Sequence, residues 1–100
     1  MQRDIEIKAS EIINRYPVNK AAFFGSILKN DFNAESDVDI IVDFISGSDG
    51  LDFFGLKEDL ETELQRSVDL ITFKSLNKAK SSFKNHVESE AHIFYDRENT

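Results

Sequence analysis

Gly25-Ser26, Asp37, Asp39 and Asp69 are the residues whose types and spacing can do chemistry. Asp37 and Asp39 stand at i and i+2 in a stretch where Val38, Ile40, Val42 and Phe44 alternate with Asp37, Asp39, Ile41 and Asp43. In a strand, that period of two puts both carboxylates on one face and an apolar row on the other. The pair then converges on a hard, oxygen-preferring cation such as Mg²⁺ without backbone distortion. Ten residues separate Ser26 from Asp37. Glycine permits a tight turn and close approach of a ligand, and N–H groups at a turn entering a helix, with a hydroxyl beside them, hold phosphate oxygens. Asp69, in SVDLITF, supplies a third carboxylate if its strand lies beside the first. Three carboxylates and a phosphate turn together make a two-metal arrangement.

No single piece is distinctive. Asp4-Ile5-Glu6, Glu61-Thr62-Glu63 and Glu88-Ser89-Glu90 repeat the acidic spacing, but in segments of helical pattern, where i and i+2 diverge. An acidic residue taken alone is more often part of a solvated face. Asp43 shares the face of Asp39, yet lies two residues further along and out of reach of the same metal. His86 and His92 have neither the spacing nor the companions of a metal site and read as structural or exposed.

The elements that must position these residues follow from periodicity. Ile5, Ala9, Ile12, Ile13 and Tyr16 form one face of an amphipathic helix that Pro17 ends. Val18 to Phe24 reads as a strand running into Gly25, and Ile27 to Asp31 allows one or two helical turns, with Asn30 and Asn33 suited to left-handed conformations at its end. Ser46 to Gly50 is a loop before a helix bearing Phe53, Leu56, Leu60 and Leu64, in which Gly55 is a weak point. Ser67 to Phe73 is a third, β-branched strand, and Leu76, Ala79, Phe83 and Val87 predict one closing helix. His92 to Tyr95 suits either a prolonged helix or an edge strand, and the tail after it is expected to fray. Phe23, Phe24, Phe44, Phe53 and Phe83 are expected in the core. The order implies a small α/β (α+β) fold, a mixed β-sheet with helices packed on it.

One hundred residues suffice for a single domain over 1–100, and are too few for a catalytic domain plus a separate substrate domain. The net charge of −7, from 19 acidic and 12 basic residues, opposes direct binding to a nucleic-acid backbone. No cysteine excludes a disulfide framework and thiol chemistry. Without an apolar signal-like start or a stretch of roughly 20 apolar residues, a cytoplasmic chain with no membrane contact is the expectation.

Taken as a set, Gly25, Ser26, Asp37, Asp39 and Asp69 resemble the G-S-x10-D-x-D pattern with a later aspartate that marks the minimal nucleotidyltransferases of the DNA polymerase β-like superfamily. The leading helix, the LDFFGLKEDLETELQR segment and the closing EAHIFYD extend the resemblance over most of the chain. It implies a polymerase β-like palm fold and transfer of AMP from ATP to a hydroxyl, with pyrophosphate leaving. Gly25, Ser26 and Lys29 would bind the nucleotide; Asp37, Asp39 and Asp69 would be catalytic and would ligate two Mg²⁺ ions. Where the family commonly continues with a small residue, Arg and Gly, this chain has Leu28, Lys29 and Asn30, so a positive charge remains without the bidentate fork of Arg. Small members resemble antitoxins that silence a HEPN ribonuclease toxin by adenylylation, which implies a HEPN-type protein as binding partner and acceptor in a hetero-oligomer. The alternative is a non-catalytic nucleotide-binding module that neutralises its partner by binding.

Overall fold

The structure, a computed structural model, describes residues 2–47 and 50–99. Helix α1 (Gln2–Ile13) leads into strand β1 (Val18–Phe24), a 3₁₀ turn (Gly25–Leu28) and strand β2 (Val38–Phe44). Helix α2 (Gly50–Leu64), strand β3 (Val68–Thr72), helices α3 (Phe73–Asn77) and α4 (Ser81–Glu90) and strand β4 (His92–Asp96) follow, with a last 3₁₀ turn at Arg97–Asn99. The sheet is mixed, in the order β3-β2-β1-β4: β1 is antiparallel to β2 and β4, and β3 is parallel to β2. The expected α/β architecture is therefore the one observed.

Alternation along the strands builds two cores, one on each face of the sheet. Ala21, Phe23, Val38, Ile40, Val42, Val68 and Leu70 meet Ile5, Ala9, Ile12 and Ile13 of α1 and Leu56 and Leu60 of α2. On the other face Ala22, Phe24 and Ile41 meet Leu76 of α3 and Val87 of α4. Asp39 lies on this second face, because it alternates with Ile40, shares parity with Ile41 and stands opposite Phe24. The aspartate row thus begins where the smaller core ends.

Several boundaries differ from the sequence expectation. Helix α1 stops at Ile13, before Pro17 acts, and Tyr16 is reached through tight turns in which Arg15 and Tyr16 N–H donate to the carbonyls of Ile12 and Ile13. Tyr16 instead donates its hydroxyl to Asp59 across α2. Gly55 makes that approach possible, since a Cβ there would stand 3.2 Å from the Tyr16 hydroxyl. The single closing helix is two helices: Lys80 takes an extended conformation (φ −58°, ψ 143°) between α3 and α4. Phe83 is consequently 46% exposed and leaves the core to Leu76 and Val87.

His92–Asp96 is a strand, and Phe94 stacks on Phe23 with ring centroids 3.9 Å apart. The tail after Asp96 is fixed rather than frayed as far as described, because Arg97 donates to the carbonyls of Val18 and Tyr16. The short helix expected over Ile27 to Asp31 is the 3₁₀ turn ending at Leu28, and the left-handed residue is Gly25 (φ +71°), not Asn30 or Asn33. Ser48 and Asp49 of the expected loop lie outside the described residues. Among the described residues no helix is long and apolar enough to cross a membrane.

Candidate functional site

β1 ends at Phe24, and Gly25 turns the chain into the 3₁₀ segment beside the start of β2, with Phe24 opposite Asp39 in the antiparallel register. The glycine is required twice. Its φ of +71° belongs to the left-handed region, and a Cβ on it would fall 2.2 Å from Asp39 Oδ2. The Asp39 carboxylate is therefore laid directly against the Gly25 backbone. The Ser26 backbone N–H donates to that carboxylate, and Ser26 Oγ donates to the Asp37 carbonyl at 3.0 Å.

Parallel pairing aligns Asp39 of β2 with Asp69 of β3 as direct Cα partners. This is the side-by-side arrangement on which the third carboxylate depends. Asp37 stands one residue before β2 rather than within it, and both Asp37 and Asp69 are exposed, whereas Asp39 is half-buried. Burial raises the Asp39 carboxyl pKa above the ordinary carboxylate range; the Ser26 N–H partly opposes this, and the charges of Asp69 and Asp37 add to it. No basic group is among these influences on Asp39. Carboxylates aligned on adjacent strands, with no basic group among the described residues acting on Asp39, are a donor set whose chemistry fits a hard divalent cation. Among the described residues, though, no three Asp, Glu, His or Cys side chains already close into a metal-holding group. The register brings Asp39 and Asp69 side by side, and Asp37 lies outside it, one residue before β2.

Lys29 follows the turn and is exposed, lining a cavity of about 400 Å³ with Gln2, Arg3, Asn30 and Phe32. Gln2 ties α1 to this turn by donating its amide to the Ile27 carbonyl. Asp43 is held apart from the site, accepting from Asn19 Nδ2 at 3.2 Å. His86 and His92 are exposed and sit 3.5 Å from Glu90 and Glu6.

Sequence patterning does not single out Arg66, yet its guanidinium reaches the loop that carries Asp37. Its Nη1 donates to the carbonyls of Asn33 (3.1 Å) and Ser36 (2.8 Å), and its plane lies over the Phe32 ring, 5.0 Å from the centroid. A basic residue just past a helix of acidic character, before a strand bearing a site residue, was the available signal.

The family model described as "Polymerase beta, Nucleotidyltransferase" matches residues 7–100. A curated relative, "Putative protein adenylyltransferase MJ0435" of Methanocaldococcus jannaschii, is 36% identical over 74 residues, covering 74% of this chain and 80% of the relative. Among solved structures, one described as a "putative minimal nucleotidyltransferase" has a TM-score of 0.72 at 26% identity and covers 90% of this chain and 89% of its own. A chain in the structure of a tri-AMPylated Shewanella oneidensis HEPN toxin in complex with an MNT antitoxin has a TM-score of 0.71 at 21% identity, covering 99% of this chain and 76% of that one. At that identity the last shows the shared fold alone.

Proposed function

The chain belongs to the polymerase beta nucleotidyltransferase family, and from that membership we propose that it transfers AMP from ATP to a hydroxyl of a partner protein, as the antitoxin of a HEPN-type toxin. The observation that carries this reading is the pairing of Asp39 with Asp69 beside a Gly25-Ser26 turn that packs on the Asp39 carboxylate. The adenylyltransferase name of the M. jannaschii relative supports the transferred group, and the AMPylated HEPN toxin found with an MNT antitoxin supports the acceptor class.

In this reading Gly25, Ser26 and Lys29 bind the triphosphate, the glycine by leaving its backbone open to close approach and Lys29 by its charge. Asp37, Asp39 and Asp69 would hold two Mg²⁺ ions. When bound, these stabilise charge on the attacking and leaving oxygens. The acceptor oxygen attacks the α-phosphorus, the bond to the bridging oxygen of the β-phosphate breaks, and pyrophosphate departs with that electron pair. Asp69, the exposed carboxylate on β3, takes the hydroxyl proton. Ser26 keeps the two β2-side aspartates in place, one through its N–H and one through its hydroxyl.

The test is incubation of the purified chain with Mg²⁺, α-labelled ATP and a candidate HEPN-type partner protein. Label appears on the partner with the wild type and disappears with Asp37→Asn or Asp39→Asn. Label that survives both substitutions refutes the enzymatic reading. Partner inhibition that persists in both variants without any label establishes the binding module instead.

A further inference from the structure

We infer that Arg66 is a positioning residue for Asp37: it clamps the loop ahead of β2 so that the Asp37 carboxylate meets the same cation as Asp39 and Asp69. The inference rests on the metal-holding reading of those three aspartates. Asp37 precedes β2, so strand pairing through the Asp37 position itself does not fix it. Its backbone is bracketed instead. On one side the Ser36 carbonyl accepts from Arg66 Nη1 at 2.8 Å; on the other, Val38 N–H donates to the carbonyl of Ser67, the next residue after Arg66.

Arg66 is itself anchored. Val68 N–H donates to Glu61 Oε2 of α2, so the segment from 66 to 68 hangs from the helix end as one unit. Gln65, which links α2 to Arg66, is the only non-glycine residue with positive φ among the described residues (φ 54°). A side chain with a Cβ disfavours that conformation, and the chain holds it where the guanidinium must turn back over the loop. The loop meets it with prepared acceptors. Ser36 Oγ accepts from Asn33 N–H and Asn33 Oδ1 from Glu35 N–H, while the Asn33 carbonyl, which also accepts from Ser36 N–H, and the Ser36 carbonyl both face Arg66. Groups that orient metal ligands from outside the coordination sphere commonly change affinity by about 10- to 100-fold when removed.

Two readouts test this, one of them free of any activity. In Arg66→Met, hydrogen–deuterium exchange of the amides from 33 to 38 rises about tenfold while α1 and β1 keep their protection. The free chain's affinity for Mn²⁺, read by loss of the aqueous Mn²⁺ paramagnetic resonance signal, falls about tenfold, the lower bound set by outer-sphere ligand partners. Arg66→Lys keeps the charge and the stem, recovers part of both, and serves should the methionine variant fail to fold. A purely structural arginine would lower the melting temperature and leave Mn²⁺ affinity and loop exchange at wild-type values in the folded variant; that result overturns the inference. A wild type that binds no Mn²⁺ overturns the metal reading, and with it the functional half of the clamp, while altered exchange in the variant remains a separate result.

Discussion

Gly25→Ala probes the joint between the phosphate turn and the carboxylate row. The backbone contribution comes from φ +71°, where an L-residue costs about 1–2 kcal/mol more than glycine. The second contribution is steric: the new Cβ would sit 2.2 Å from Asp39 Oδ2, and ordinary contact begins at 3.4 Å, so the carboxylate must withdraw by 1.2 Å. Overpacking costs about 1–3 kcal/mol in a close-packed core, and a half-buried carboxylate end that can partly give falls in the lower part of that range, about 1–2 kcal/mol. The variant should therefore lose roughly 2–4 kcal/mol, which for a domain this size lowers the melting temperature by more than about 8 °C.

The two contributions separate in a double-mutant cycle with Asp39→Ala. Without the carboxylate the clash has no partner, and Gly25→Ala should cost only the backbone part, about 1–2 kcal/mol. Urea denaturation of all four proteins in EDTA measures the difference. Equal costs in both backgrounds, within about 0.5 kcal/mol, would refute the packing of Asp39 on Gly25. For transfer itself, displacement of a ligand by about 1 Å is enough to lose roughly 100-fold in rate, so Gly25→Ala should lose labelling even where it remains folded.

Asp39 predicts an inverted pH dependence: its native carboxyl keeps its proton to higher pH than the unfolded one, so its cost is absent in acid and grows as pH rises through the raised native value. In metal-free buffer Asp39→Asn should be more stable than wild type at pH 7 and no more stable at pH 3, and a gain of equal size at both would contradict the assignment. Tyr16 is pushed up to about 12, first by its hydrogen bond to Asp59 and then by burial and the nearby acidic charges. Its stabilisation is thus whole below pH 10 and lost as pH climbs towards 12; Tyr16→Phe should cost about 1 kcal/mol at pH 7, a gap that urea melts should show closing in that alkaline window. Leu76→Ala should cost about 2–5 kcal/mol because the side chain is buried under α3. Phe83→Ala, at an exposed position, should stay within about 0.5 kcal/mol, and a larger loss by the same measurement would restore the single closing helix.

The parts of the fold that were legible in the sequence are those fixed by local period. Alternation from Val38 to Phe44 gives the strand, its two faces and the placement of Asp39, since a slip of one residue would bury the carboxylates. The closing segment shows the limit. Leu76, Ala79, Phe83 and Val87 have helical spacing, but spacing measures only consistency with a helix; the extended Lys80 between them is set by which of those side chains can reach Ile41 and Phe24. Two reach the sheet, and the chain breaks to let them.

The site divides along the same line. Gly25 announces its left-handed turn by being glycine, but the carboxylate it accommodates belongs to another strand and is visible only once β1 and β2 are paired. Asp69 becomes a partner of Asp39 only because β3 joins β2 in parallel, a choice made by α2 crossing the opposite face through Leu56 and Leu60. Arg66 is further removed still: its type and position resemble those of any helix-terminal cation, and what sets it apart is a backbone twist at Gln65 and two carbonyls some thirty residues earlier in the chain. A residue that acts by holding another's backbone has no composition or spacing of its own to betray it. Its role follows from geometry alone, which is why the exchange of the 33 to 38 amides, rather than any sequence pattern, decides whether Asp37 depends on it.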